Sequence, residues 1–330
     1  MAKTRPLLFA LEGSQALGTR VAEELGWPLA PVEERPFECG EHKARSRTDV
    51  EGRDVYVLHG LHGDASASAN DKLMRLLLFL AAVKDNGAAR ATAVLPYLCY
   101  ARKDRRTKPR DPVNTRTLAR LFESVGTDRV LVLDVHNPAA FENAFRIRAD
   151  ELTATPLFVA HFATRLGGEK ACVLSPDSGG MKRAERFRRA LERALDRQVT
   201  PAVMEKHRSA GLVRGNLFAG EVDGRTVIVI DDLTESGGTL VRAAEAAKEA
   251  GAARVLAAVT HAPELPRDAA ILQTPALEEI VVTDSVGQIR RERGTLTVLP
   301  IARLFADAIR TMSVNGDLTD LDTAPVAEEP

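Results

Sequence analysis

Short apolar runs alternate with longer segments of helical spacing along most of this chain. The apolar runs are too short for helices and are typical of strands buried on both faces of a parallel sheet. They lie at residues 6–10, 54–59, 91–95, 129–133 and 227–230. Segments with helical spacing lie at residues 14–25, 71–84, 115–125, 240–250 and 301–312. This alternation predicts an α/β fold, with helices flanking mainly parallel sheets and ligands at the carboxyl ends of the strands.

Two other segments carry predictions about local structure. Residues 32–41 are mostly polar with one phenylalanine, and we interpret them as a loop. Residues 199–204 resemble a strand, and we interpret the segment after them, with Lys206 and Arg208, as a second loop. Ser14, at the start of the first helical segment, is a residue type that caps helices, so we expect it to be an N-cap.

The stretch VIVIDDLTESGGTL at residues 227–240 joins a buried strand, two carboxylates and the start of a helix. Backbone N–H groups in a helix's first turn, bared by glycines and supplemented by hydroxyls, form a cradle for a phosphate dianion. The carboxylates suit the vicinal hydroxyls of a sugar or a metal ion. The alternative interpretation is an acidic strand end followed by a capped helix. The residues concerned are Asp231, Asp232, Ser236, Gly237, Gly238 and Thr239.

Three further strand ends carry charged side chains. Five basic residues within 102–108 can neutralise a polyphosphate, although a solvated basic loop has the same composition. His136 follows Asp134 at another strand end, where it is either a structural histidine or a contact to metal or phosphate. Asp177, in SPDSGG, lies in either a second glycine-rich strand exit or a simple turn.

Composition limits the function only loosely. The 330 residues, 45% of them hydrophobic, are enough for two domains. The net charge of −1 gives no global attraction to nucleic acid or to an anionic membrane, so we expect neither as a partner. Three cysteines without C-x-x-C spacing indicate neither a disulfide framework nor a zinc site. No apolar run approaches about 18 residues and the N-terminus lacks a signal peptide's apolar core, so we expect a cytoplasmic protein.

Five motifs in unbroken order resemble the ribose-phosphate diphosphokinase family, also called phosphoribosyl pyrophosphate synthetases. The motifs are PYLCYARKDRR, RVLVLDVH, VLSPDSGGMKRA, MEKHR and VIVIDDLTESGGTL, and the resemblance spans about residues 7–312. It implies two domains of type I phosphoribosyltransferase-like fold, residues 1–152 and 153–300, with the helix at 301–312 joining the first. We expect residues 315–330, which are acidic and contain Pro and Ala, to form a disordered tail.

The resemblance implies Mg²⁺-dependent transfer of the diphosphoryl group of ATP to the 1-hydroxyl of ribose 5-phosphate, giving phosphoribosyl pyrophosphate and AMP. Lys206 and Arg208 are then the catalytic cations, and His136 and Asp177 are the side chains linked to the metal. The implied ATP-binding residues are Phe37, Cys39, Glu41, Arg102, Lys103, Asp104 and His136. The implied ribose 5-phosphate-binding residues are Asp231, Asp232, Glu235, Ser236, Gly237, Gly238 and Thr239. The family resemblance also implies a homodimer or hexamer.

Two departures from the family pattern concern the phosphoryl donor. The family loop reads F-S-D-G-E, whereas this chain has Cys39 where the aspartate would contact adenine. Lys103 replaces the glutamine of the A-R-Q-D-R motif and adds a cation near the nucleotide. A relaxed choice of donor is the hypothesis that follows from these two substitutions.

Two alternative functions remain open at this point. A non-catalytic family member that binds nucleotide and regulates an active synthetase would share the same fold. The presence of Lys206, Arg208, His136 and Asp177 favours an enzyme over that alternative. A phosphoribosyltransferase would explain the DDLTESGGT loop, but it would leave the basic segment and the N-terminal half unexplained.

Overall fold

The structure is a computed structural model that describes residues 5–209, 212–263, 269–287 and 295–322. It describes the backbone alone of residues 205–209, 212–217, 320 and 322. The described chain divides into two compact units. The first contains the residues up to Thr153 together with Ile301–Leu321, and the second contains Ala154–Pro300. None of the described helices is long and apolar enough to cross a membrane.

The first unit follows the predicted alternation of strands and helices. Its elements up to Thr153 are β1 (Leu7–Ala10), α1 (Gln15–Leu25), β2 (Val32–Pro36), β3 (His42–Ser46), β4 (Asp54–Leu58), α2 (Ala69–Asp85), β5 (Arg90–Leu95), α3 (Asn114–Ser124), β6 (Arg129–Leu133), α4 (Pro138–Ala144) and β7 (Arg148–Leu152). The main sheet has the order β1-β4-β5-β6-β7, and neighbouring strands in it are parallel.

Burial and capping explain why these segments adopt their structures. Every residue of β1 is buried, as is every residue of β5 except Arg90, so both faces of these strands lie against apolar side chains. The helix α2 begins with a capping box. The Ser68 hydroxyl accepts the N–H of Asp71, and the Asp71 carboxylate accepts the N–H of Ser68. This reciprocal pair satisfies two donors that the first helical turn leaves free.

Residues 32–41 are only in part the loop that we expected. Residues 32–36 form β2, which pairs with β3 in an antiparallel hairpin, with Glu34 opposite Ala44 and Pro36 opposite His42, and residues 37–41 connect the two strands. The helix α2 packs against β3. The two strands carry few apolar residues, which is why their sequence did not indicate strands.

Ser14 occupies the N-cap position of α1, as predicted, but its side chain makes no capping hydrogen bond. Its hydroxyl lies 3.1 Å from Nδ1 of the buried His59 and accepts the N–H of Gly60 at 3.0 Å. Burial, assisted by the charge of Lys72, lowers the pKa of His59 to about 3, so its ring is neutral. The serine hydroxyl therefore contacts Nδ1 of a buried imidazole at the end of β4 rather than the helix terminus.

The second unit also has the predicted architecture. Its elements are α5 (Thr155–Leu166), β8 (Ala171–Ser175), α6 (Met181–Leu195), β9 (Val199–Ser209), β10 (Leu212–Gly220), β11 (Thr226–Leu233), α7 (Gly238–Glu249), β12 (Arg254–His261), α8 (Ala270–Gln273), β13 (Glu279–Thr283) and β14 (Leu296–Leu299). The sheet order is β10-β9-β8-β11-β12-β13-β14, with an antiparallel β9–β10 pair and parallel pairs elsewhere. The predicted α/β class with mainly parallel sheets is confirmed.

The segment of Lys206 and Arg208 also differs from the prediction. Its backbone belongs to β9, where Lys206 lies opposite Asn216 and Arg208 lies opposite Val213 of β10. The register shifts between Val213 and Asn216, as it does at a β-bulge. These two residues therefore lie on a strand near the edge of the sheet rather than in a loop.

The last helix of the chain, α9 (Ala302–Ser313), packs against α1 of the first unit. The Arg310 guanidinium donates to the Glu24 carbonyl at 2.7 Å, and Arg90 donates to the Asn315 side chain at 2.8 Å. Residues Thr319–Asp322 form a short 3-10 helix. The rest of the predicted tail, from residue 323 onward, lies outside the described residues.

Candidate active site

The two carboxylates of the VIVIDD motif lie within β11, close to its carboxyl end. The strand extends to Leu233, so Asp231 pairs with Val259 of β12 instead of following the strand. The side chains of Asp231 and Asp232 are 19% and 7% exposed. The Asp232 N–H donates to Asp231 Oδ1 at 2.9 Å. Two adjacent carboxylates are therefore held, largely out of solvent, at the carboxyl end of the sheet's strands.

A glycine turn connects these carboxylates to α7. The helix begins at Gly238, and Gly237 before it has a φ of +77°. A Cβ at Gly237 would lie 2.2 Å from the Cβ of Ile271 in α8, so both the backbone conformation and the space require glycine. Because the first N–H groups of a helix have no partner within it, the turn presents them as donors to an anion.

Arg183, in the first turn of α6, accompanies the carboxylate pair. Its Nη1 lies 3.1 Å from Asp232 Oδ1 and 3.6 Å from Asp231 Oδ1. Burial, and then the neighbouring Asp232 carboxylate, raise the pKa of Asp231 well above its ordinary value, and the guanidinium opposes that rise. The sequence analysis missed Arg183, although it lies in the motif VLSPDSGGMKRA.

Asp177 follows β8, which neighbours β11 in the parallel sheet. Its Oδ1 accepts the Gly180 N–H at 3.0 Å, and the Ser175 hydroxyl donates to its carbonyl at 2.7 Å. A Cβ at Gly180 would lie 2.9 Å from the Ser175 hydroxyl, so the glycine allows this close turn. Because β8 and β11 run parallel, Asp177 and Asp231 lie at the same edge of the sheet.

The first unit brings together two of the segments assigned to the nucleotide. Asp104, after β5, is half-buried, and its Oδ2 accepts the Asn137 side-chain N–H at 2.5 Å. Asn137 in turn caps α4, directly after the exposed His136. Arg102 and Lys103 are exposed beside Asp104. The loops after the neighbouring strands β5 and β6 are therefore joined at the carboxyl end of the first sheet.

The tip of the β2–β3 hairpin carries Phe37, Cys39 and Glu41. The Phe37 N–H donates to the Glu41 carbonyl at 2.8 Å, and the Gly40 N–H donates to the Phe37 carbonyl at 3.0 Å. Phe37 is 40% exposed, and the Arg35 guanidinium lies 5.2 Å from its ring centroid. Cys39 is also exposed. An exposed ring of this kind offers a stacking surface for an aromatic base.

Comparison with known proteins decides the family. Residues 7–126 match the model for the N-terminal domain of ribose phosphate pyrophosphokinase, and residues 171–321 match that for the phosphoribosyl synthetase-associated domain. The ribose-phosphate pyrophosphokinase of Vibrio parahaemolyticus is 34% identical over 310 residues, covering 93% of this chain and 95% of that protein. That of Maricaulis maris is 38% identical over 309 residues, covering 92% and 96%. The chain belongs to the ribose-phosphate pyrophosphokinase family.

A solved structure supports the same conclusion for the fold of this pyrophosphokinase. The phosphoribosylpyrophosphate synthetase of Mycobacterium smegmatis matches it with a TM-score of 0.85 and 31% identity, covering 95% of this chain and all of that one. The resemblance seen in the five sequence motifs is therefore confirmed, as is the prediction that the chain is an enzyme of this family.

The structure places the other predicted site residues of the pyrophosphokinase as follows. Glu235 and Ser236 are exposed in the turn before α7, and the Thr239 hydroxyl accepts from Arg242 at 3.3 Å. His136 belongs to the first unit and Asp177 to the second. The side chains of Lys206 and Arg208 lie outside the described part of the chain.

Proposed function

We propose that this pyrophosphokinase transfers the diphosphoryl group of ATP to the 1-hydroxyl of ribose 5-phosphate, giving phosphoribosyl pyrophosphate and AMP. The observation that carries the proposal is the position of Asp231 and Asp232 near the carboxyl end of β11, beside the glycine turn that begins α7. Carboxylates accept hydrogen bonds from vicinal hydroxyls, and the first N–H groups of a helix bind phosphate. A sugar phosphate carries both groups.

The ribose 5-phosphate contacts follow from these chemical preferences. Asp231 and Asp232 accept hydrogen bonds from the ribose hydroxyls. The hydroxyls of Ser236 and Thr239, with the N–H groups of Gly237 and Gly238 beside them, donate to the 5-phosphate, and Glu235 lies in the same turn. Arg183 supplies positive charge beside the two carboxylates, because its Nη1 lies 3.1 Å from Asp232.

We assign the nucleotide to residues of the first unit. Phe37 at the hairpin tip stacks on the base, and the backbone contact with Glu41 supports the tip, which also carries Cys39. Arg102 and Lys103 neutralise the polyphosphate, and Asp104 is fixed by its hydrogen bond to Asn137 next to His136. This set of residues explains the basic segment, which a phosphoribosyltransferase would leave without a role.

Mg²⁺ is the metal that the reaction class implies. The Asp177 carboxylate is the oxygen type that Mg²⁺ prefers, and Gly180 fixes its orientation. The His136 imidazole suits a contact to a metal-bound water or a phosphate better than direct ligation of this hard ion. When bound, Mg²⁺ neutralises the charge of the polyphosphate oxygens. In the second unit Asp177 would hold the ion with few other protein ligands, because Mg²⁺ keeps several waters.

The chemical step makes one bond and breaks one. The 1-hydroxyl oxygen of ribose 5-phosphate bonds to the β-phosphorus of ATP, the bond from that phosphorus to the α,β-bridging oxygen breaks, AMP leaves with the electron pair, and the hydroxyl proton is released. Charge accumulates on the transferred group, so cations stabilise the transition state more than the ground state. We assign that task to Lys206 and Arg208.

The experiment measures AMP formation from ATP, Mg²⁺ and ribose 5-phosphate by wild type and Lys206→Ala. We expect the substitution to lower kcat by about 10² or more, because a cation at the transferring group contributes several kcal/mol. Lys170→Ala, at an exposed position before β8, is the matched control and should keep the wild-type rate. Absence of turnover by wild type, with nucleotide still bound, would favour the non-catalytic alternative.

We also propose that the enzyme forms a homodimer or hexamer. Met74 and Leu78 lie one turn apart on α2 and are 56% and 52% exposed. Paired exposed apolar side chains are common where a surface is covered by another protein. Light scattering during size-exclusion chromatography measures the mass directly, and a monomer would contradict this assembly.

A further inference from the structure

A group of metal-ligand side chains contains none of the residues assigned to the reaction. It consists of Glu12, directly after β1, Glu34 in β2 and His42 in β3. One carboxylate oxygen from each glutamate and one ring nitrogen of His42 lie within 4.8 Å of one another. The hairpin register explains how two of them meet. Glu34 pairs with Ala44, so His42 is its diagonal neighbour on the same face of the two strands.

The ligand atoms of Glu34 and His42 are buried without ordinary hydrogen bonds. The side chains are 10% and 6% exposed. Among the described residues, neither Glu34 Oε2 nor His42 Nε2 has a hydrogen-bond partner. Buried polar atoms almost always have a partner, so two such atoms facing each other indicate a ligand between them.

The distance between these two atoms fits a shared metal ion better than a shared proton. Oε2 of Glu34 lies 3.4 Å from Nε2 of His42. A charge-assisted N–H···O bond is about 2.7–2.9 Å long. Two ligands at about 2.1 Å from one tetrahedral ion lie about 3.4 Å apart. The observed separation is that of two ligands of one divalent cation.

Glu12 completes the set and is itself held in place. Its N–H donates to Glu34 Oε1 at 2.6 Å, which turns the other oxygen of Glu34 towards His42. The Glu12 Oε2 atom lies 3.4 Å from Nη1 of Arg75 on α2. Outer partners of this kind commonly orient the carboxylates that bind a metal. The end of β1, the hairpin and α2 therefore converge on one site.

We propose that Glu12, Glu34 and His42 bind a first-row divalent cation, with Zn²⁺ as the preferred ion. Imidazole suits Zn²⁺ and other transition metals, whereas Mg²⁺ and Ca²⁺ take oxygen ligands. Three protein ligands leave a fourth tetrahedral position for water. The ion ties the half of the β2–β3 hairpin next to its tip to the end of β1, and so it fixes the strands that carry Phe37 and Glu41.

Calorimetric titration with Zn²⁺ tests this site. The full chain is first stripped of metal and then supplied with excess Mg²⁺. We expect wild type to bind one equivalent of Zn²⁺. His42→Gln and Glu34→Gln should each lower the Zn²⁺ affinity by at least about 100-fold, since replacing even a residue that only orients a ligand lowers the affinity by about 10–100-fold. Glu34→Gln keeps an oxygen for the Glu12 N–H. Glu12→Gln gives the same test if His42→Gln fails to fold, because the Glu12 side chain is 58% exposed and its replacement should leave the fold intact.

Two controls separate this site from other zinc ligands. His161 and Glu279 form a buried pair 3.1 Å apart in the second unit, and no third metal ligand joins them among the described residues. His161→Gln should therefore leave Zn²⁺ binding unchanged. Cys39→Ser should also keep it, although a thiol is a zinc ligand. Equal binding by wild type, His42→Gln and Glu12→Gln, or loss of binding in Cys39→Ser, would overturn the proposal.

Discussion

The guanidinium of Arg183 lies 3.1 Å from the Asp232 carboxylate, and it is the cation that the structure pairs with both aspartates of β11. These aspartates are adjacent and largely buried, so without a cation one of them would take up a proton. A protonated carboxyl accepts fewer hydrogen bonds from ribose hydroxyls. At the proposed ribose 5-phosphate site, Arg183 would thus act on binding through the charge state of its neighbours.

Replacing Arg183 by methionine should raise KM for ribose 5-phosphate by roughly tenfold, the effect of losing one hydrogen bond to a charged group. The pKa of Asp231, already raised, should rise further, so the acid limb of kcat/KM should move to higher pH. Arg183→Lys should show a smaller shift. Kinetics across a pH series measure both effects.

Arg189→Met is the control for that experiment. Arg189 lies on the same helix and pairs with Glu185, but its side chain is 70% exposed. Exposed pairs of this kind contribute little. Equal pH profiles for Arg183→Met and Arg189→Met would rule out the role assigned to Arg183.

Gly237→Ala should be far more harmful than the same change at Gly26. Both glycines have a left-handed backbone, at φ of +77° and +65°, which costs an alanine about 1–2 kcal/mol. Only at Gly237 would the new Cβ also meet Ile271, at 2.2 Å, whereas at Gly26 it meets nothing within 4 Å. Overpacking adds about 1–3 kcal/mol. Thermal melts should show the larger loss for Gly237→Ala, accompanied by weaker ribose 5-phosphate binding.

Replacing Asp64 alone should lower the free energy of unfolding more than replacing both members of the Lys72–Asp64 pair. Lys72 is 2% exposed and its Nζ lies 2.5 Å from Asp64 Oδ2. Asp64→Asn leaves a buried charge without its counter-ion and should cost about 3–5 kcal/mol. Adding Lys72→Met removes that charge, so the double variant should regain most of the loss. Denaturant melts measure the three stabilities, and a double variant no better than Asp64→Asn would contradict this account.

The same pair predicts a pH dependence. Burial opposes ionisation of Asp64, but hydrogen bonds from Lys72, Ser66 and Ala67 outweigh it and lower the pKa of Asp64 below its ordinary value. Its contribution to stability is therefore present above the unfolded pKa of about 4 and is lost as pH falls towards the folded value. Melts from neutral to acid pH should show wild type losing stability relative to the double variant only below about pH 4.

Restoring the family residues at Cys39 and Lys103 should sharpen donor selection. An aspartate at position 39 would accept a hydrogen bond from the adenine amino group, whereas guanine presents a carbonyl there. We expect Cys39→Asp with Lys103→Gln to raise the ratio of kcat/KM for ATP over GTP by about tenfold. Strict use of ATP by wild type would contradict the hypothesis of relaxed donor choice.

The apolar strands and the glycine turns were predictable because their residues leave few choices. β11 opens with five consecutive buried residues, and Gly237 occupies a position that only glycine fits. The β2–β3 hairpin was not predictable, because its inward positions include Glu34 and His42 rather than apolar side chains. Likewise the charged residues from Glu205 to Arg208 gave no strand pattern, since they lack the alternation on which such a prediction depends.

Arg183 shows a different limit of sequence reasoning. It lies 48 positions before Asp231 in the chain (231 − 183), and only the parallel pairing of β8 with β11 brings α6 to the carboxylates. Nothing in the local composition of α6 distinguishes Arg183 from Arg186 or Arg189 nearby. Predicting a contact that depends on strand pairing requires the strand order, and the strand order is a property of the whole unit.

The return of α9 to α1 has a consequence for synthesis on the ribosome. The first unit is interrupted in sequence by Ala154–Pro300, which belongs to the second unit. Translation at about 5–20 residues per second needs roughly 7–30 s to pass through it. During that time the nascent first unit lacks its last helix, and α1 has no partner for the surface that α9 later covers. The helix α1 is therefore completed by a helix that is synthesised only after the whole of Ala154–Pro300.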